Sequence, residues 1–106
     1  MRIPVNSIIP TEKLTHYLLV PRQKNDKADF LAQVGFTLEN SDLLEAAIRN
    51  LIAENEAVSD RQNEYGTFFR IEGELEGPYG ILSVVTVWIL RNSDQQYRFI
   101  TLKPMR

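Results

Sequence analysis

From Gly66 onward the apolar residues stop recurring at helical spacing and begin to alternate, and this change of period is what most constrains the fold. Phe69, Ile71, Gly73 and Leu75 fall on one side of a predicted strand, with Phe68, Arg70, Glu72 and Glu74 on the other. Gly77-Pro78-Tyr79-Gly80 follows, a composition that suits a four-residue hairpin loop. The next strand, about Leu82 to Leu90, is largely apolar on both faces. A strand of that kind belongs in the middle of a sheet, so Trp88 is read as core. Residues 91–95 turn the chain, residues 96–103 form a last strand, and Pro104 ends it.

The front half has helical spacing. Pro10 with Thr11 or Glu12 opens a short helix in which Leu14, Tyr17 and Leu18 share a buried face, and Pro21 stops it near Val20. A second helix is capped by Asn25 or Asp26. It carries Ala28, Phe30, Leu31 and Val34 as its stripe and ends at Gly35, with Phe36 making the closing apolar contact. Asn40 or Ser41 caps a third helix running to Glu54-Asn55. Leu44, Ala47, Ile48 and Leu51 form its buried stripe, Leu43 and Ile52 widen it, and Glu45, Arg49, Asn50 and Glu54 face water. Val58 begins a short strand or a turn. The expected fold is α+β, a single domain over residues 1–106, with two or three N-terminal helices packed on a three- to four-stranded antiparallel sheet.

Composition narrows the chemistry. At 43% apolar and 25% charged residues, 106 residues make an ordinary globular domain. There is no cysteine, which removes disulfides and thiolate chemistry and suits the cytosol. No apolar run is long enough for a membrane span or a signal peptide. Residues 31–60 hold one basic and six acidic side chains, so no broad basic face for duplex DNA is expected.

Metal and cofactor sites are not expected either. His16 is the only histidine, read as a surface or half-buried helical residue. The glycines are isolated, with no phosphate-binding loop and no nucleophile elbow. The terminal strand holds the more reactive set. Arg98 can grip a phosphate with two hydrogen bonds, Lys103 can neutralise charge, and Thr101 can donate a hydroxyl. Strict alternation puts Thr101 and Lys103 opposite Arg98, so the three converge only across a bulge or a strong twist.

Taken in order, several segments resemble a family of small bacterial domains of unassigned activity, often cyanobacterial. These are Ile9 to Leu19, Lys27-Ala28-Asp29-Phe30-Leu31 with Gly35-Phe36, Tyr65-Gly66, Gly73-Glu74-Leu75, Pro78-Tyr79-Gly80, Thr86-Val87-Trp88-Ile89, and Arg98 to Thr101 with Pro104. The sheet layout of that family is similar to metal-independent ribonuclease toxins of the barnase, colicin and RelE type. The resemblance implies RNA cleavage by attack of a 2′-hydroxyl, and it carries the polar positions to Lys27, Thr86, Arg98 and Thr101. This chain departs from the family pattern with Ile81 where a basic residue is usual after the hairpin glycine, and with Lys103 where an aromatic is usual.

Two functions follow as expectations. The leading one is a non-enzymatic module that binds a protein partner or self-associates as a homodimer, through an unpaired terminal strand. The alternative is a toxin-type endoribonuclease using Arg98, Thr101, Thr86 and Lys27, with His16 as acid or base, and RNA is a partner only in that case.

Overall fold

A computed structural model describes residues 1–21 and 27–105. Helix α1 starts at Thr11–Lys13 and continues as a π-helical turn over Leu14–Leu18; α2 spans Lys27–Ala32, and α3 spans Ser41–Glu54 after a 3-10 turn at Leu38–Asn40. Four strands follow, β1 Val58–Asn63, β2 Gly66–Gly77, β3 Gly80–Arg91 and β4 Tyr97–Pro104. They form one antiparallel sheet in the order β1-β2-β3-β4. The α+β class, the helices against an antiparallel sheet and the fourth strand all agree with the sequence reading. The N-cap assigned to α2, Asn25 or Asp26, lies outside the described residues.

β3 is paired along its whole length by β2 and over its second half by β4, as its two apolar faces require. Ile71, Leu75, Val84, Trp88, Phe99 and Leu102 are buried on the helix side, where Leu44, Ile48, Leu51 and Ile52 of α3 complete the core. Trp88 packs edge-on to Phe99, with ring centroids 5.3 Å apart. The β2–β3 connection is tighter than a four-residue loop, because Gly77 and Gly80 pair with each other and leave only Pro78 and Tyr79 in the turn.

Three local expectations change for stated reasons. The π turn places a hydrogen bond from Leu19 N to Leu14 O (3.0 Å), five residues back. That wider winding buries Leu14, Leu18 and Leu19 together and rotates Tyr17 outward. The cap before α3 is Thr37, which bonds reciprocally with Asn40 around the 3-10 turn; Asn40 itself makes no side-chain cap to α3. Arg49 does not simply face water. Its Nη1 donates to the carbonyls of Val5 and Ser7, 2.7 Å each, and ties the N-terminal segment to α3. Ile8 then hydrogen-bonds along the outer edge of β4, giving to Tyr97 O (2.9 Å) and accepting from Phe99 N (2.8 Å).

The end of α2 follows the sequence reading closely. Gly35 has φ +97°, Phe36 N donates to Leu31 O and Gly35 N to Ala32 O, the paired bonds of a Schellman motif. Gly73 allows α3 to lie against β2, since a Cβ there would stand 2.6 Å from Asn55 Nδ2 and 3.0 Å from Leu51 Cγ. Gly73→Val should therefore cost about 1–3 kcal/mol of stability through overpacking, read as a lowered urea midpoint. An unchanged midpoint would mean that α3 does not press on this strand.

Candidate functional site

β4 contains an extra residue. Val87 pairs with Thr101 and the adjacent Trp88 pairs with Phe99, leaving Ile100 as a bulge. Alternation is reset at that point. Arg98, Thr101 and Lys103 now pair with Ile89, Val87 and Val85, three alternate residues of β3, so all three lie on the sheet face away from the α3 core. The bulge the sequence reading required for their convergence is present.

Lys27, on the first turn of α2, reaches this strand and donates from Nζ to Thr101 Oγ1 at 2.9 Å. The same ammonium lies 5.4 Å from the centroid of the Tyr17 ring. Thr101 donates weakly in turn to Leu102 O at 3.3 Å. Arg98 is half-buried and has no side-chain hydrogen bond or ion pair among the described residues. Asp94 on the β3–β4 turn lies within its electrostatic reach. The hydrogen bond from Arg91 holds the Asp94 carboxyl below its usual range against an opposing desolvation, and the Gln96 backbone N–H and then the Arg91 and Arg98 charges add to the lowering.

The other two candidates lie elsewhere. Thr86 is fully buried on the core face, where its hydroxyl donates to Ile71 O (3.0 Å) and accepts from Trp88 Nε1 (2.9 Å). Its position is that of the internal partner of an indole, on the opposite face from Thr101. His16 is exposed on the π turn and makes no hydrogen bond to Lys27, Thr101 or Arg98. Among the described residues no three histidine, aspartate or glutamate side chains gather as a metal-ligand group. The β4 face thus joins Lys27, Thr101 and Tyr17, sets Arg98 and Lys103 on the same side, and leaves Thr86 and His16 apart.

A second surface was not singled out by sequence. Two shallow depressions run between α3 and the β2–β3 hairpin and share Ala47, Asn50 and Glu76 as lining, so they form one groove. One end is apolar, with Phe36, Leu43, Ala46 and Pro78; the other has Leu51 and Ile81 with Glu54 and Glu74. Leu43 is 46% exposed and Ile81 55%, and Tyr79 at the hairpin tip is 82% exposed. Leu43 was expected to widen the buried stripe of α3; it instead lies outside the core and faces this groove. The tip is fixed to the end of α2 by Tyr79 N donating to Val34 O at 2.9 Å. Sequence offered only a faint signal, an aliphatic Ile81 beyond the hairpin glycine.

Residues 5–106 match the family described as a domain of unknown function, DUF6883, and the chain belongs to that family. No curated protein and no solved structure matches it. No helix among the described residues is long and apolar enough to cross a membrane.

Thr86→Val keeps the shape of the side chain but leaves the Trp88 indole N–H buried without an acceptor. We expect a loss of about 1–3 kcal/mol in chemical denaturation. Thr101→Val, whose partner Lys27 still reaches solvent, should cost less than about 0.5 kcal/mol. Equal losses would contradict this division between a core hydroxyl and a surface one.

Proposed function

We propose that this domain is a non-enzymatic protein-interaction module and that the groove between α3 and the β2–β3 hairpin is its docking surface. The observation that carries this reading is that exposed Leu43 lines one end of that groove with Pro78 and exposed Ile81 lines the other, with Tyr79 protruding at the hairpin tip. Large apolar side chains grouped on a rigid surface are characteristic of contact sites. Residues 71–77 of β2 have no strand partner on the β1 side and lie beside the groove, whereas association through the outer strands has less support. β1 is short, polar and exposed along its length, and its register shifts between Ser59 and Arg61. The outer edge of β4 carries the Ile100 bulge and is partly paired by Ile8. A bacterial, cytosolic setting accords with the cysteine-free composition and is part of the same proposal.

A photo-crosslinking amino acid placed at Leu43 in cells expressing the domain should yield discrete adducts. The same group at Tyr65, exposed at the β1–β2 turn, should not. Identical adduct patterns from the two positions, or none from position 43, would refute the docking surface.

One observation favours a second reading, a metal-independent endoribonuclease. Arg98, Thr101 and Lys103 share a face, and Lys27 is joined to Thr101. In this reading Arg98 and Lys27 neutralise the phosphate while the 2′-oxygen attacks phosphorus and the P–O5′ bond breaks, and His16, which lies apart from this face, has to move to take the 2′-proton or protonate the leaving 5′-oxygen. The toxin-like layout implied by the resemblance belongs to this reading alone. Its test is cleavage of total cellular RNA in excess chelator by the wild type and by Arg98→Ala. Cleavage lost in a folded variant supports it; RNA left intact by the wild type counts against it.

A further inference from the structure

We infer that the groove takes a cationic amphipathic peptide segment of another protein, with its apolar anchor at the Leu43–Pro78 end and its lysine or arginine at the Glu54–Glu74 end. This rests on the groove being the docking surface and adds the chemistry of its occupant. Three carboxylates line the groove, Glu54, Glu74 and Glu76, and no basic side chain does. None of the three has an ion-pair partner among the described residues. They do not gather as a metal-ligand group among the described residues, and a groove lined by carboxylates without a basic side chain complements a cationic segment.

The placement of these groups gives the occupant a direction. Glu74 and Glu76 are alternate residues of β2 on the face opposite Ile71 and Leu75, and they border the groove at the edge of the strand beyond its last β1 pair at Arg70, while Glu54 lies at the last turn of α3. Leu43 lies on the first turns of the same helix. From position 43 to position 54 the helix rises roughly 16 Å, which an extended segment spans in about five residues. An anchor therefore fills the apolar end while a basic side chain a few residues away reaches the carboxylates. Apolar contact supplies affinity at one end, and charge selects orientation at the other.

Selection of displayed random peptides on the whole folded domain, followed by synthesis of the enriched sequence, tests this directly. The enriched peptides should pair an aliphatic or aromatic anchor with lysine or arginine. Titrated into the isotope-labelled domain, they should shift the amide resonances of Ala46, Asn50, Gly77 and Ile81. Reversing charge with Glu74→Lys and Glu76→Lys together should weaken binding by about tenfold or more, and added salt should weaken it further. Both positions are exposed, so retained thermal unfolding confirms the fold of the variant. Peptides that bind in the groove without cations, or that ignore the charge reversal, overturn the assigned chemistry and leave the docking surface standing. Resonance shifts confined to other faces, or failure to enrich any peptide, overturn both. A homodimer that dissociates with Leu43→Asp overturns the peptide occupant in favour of a second copy of the chain.

Discussion

The indole of Trp88 is fully buried and carries one polar hydrogen, and the way that hydrogen is satisfied organises the domain. Its acceptor is the hydroxyl of Thr86, two residues earlier on the same strand and the same face, which passes a hydrogen bond on to Ile71 O of β2. A buried N–H without such a partner would cost more than a surface contact returns. The relay fixes β3 against β2 and leaves the indole edge for Phe99 of β4. Helix α3 then closes over this layer, coming near the sheet where Gly73 provides room.

The outer edges of the sheet are managed separately. β1 is exposed and polar, with a register break; β4 is bent by the Ile100 bulge and held by the Ile8 segment, whose path Arg49 anchors to α3. These features limit pairing along β1 and β4, while residues 71–77 of β2 have no strand partner on the β1 side. The same bulge has a chemical effect, because it turns Arg98 onto the face that already holds Thr101 and Lys103.

The two surfaces of interest differ in character. On β4, Arg98, Lys103 and the Thr101 hydroxyl bonded to Lys27 share one face. Along α3, exposed aliphatic groups continue into carboxylates that have no ion-pair partner among the described residues. The stronger functional reading follows the second surface, where apolar area and charge point to the same kind of occupant.

Much of the fold was legible from residue order. The period change at Gly66 announced the sheet, the doubly apolar stretch from about Leu82 to Leu90 marked its centre, and Gly35 with Phe36 marked the end of α2. Those signals are local: alternation, spacing and a left-handed glycine are set by neighbours in the chain. Sequence named Lys27, Arg98 and Thr101 but placed Thr86 with them, because a strand pattern gives the parity of a residue and not whether its hydroxyl is already occupied. It missed the groove because Leu43 of α3 and Pro78 of the hairpin, distant in sequence, line one depression only when α3 packs beside the hairpin. The sequence determined which elements form and which residues are apolar enough to hold them together. Only tertiary packing decided the bulge, the burial of Thr86 and the meeting of Glu54 with Glu74 and Glu76 along one groove, since each depends on contacts between segments far apart in the chain.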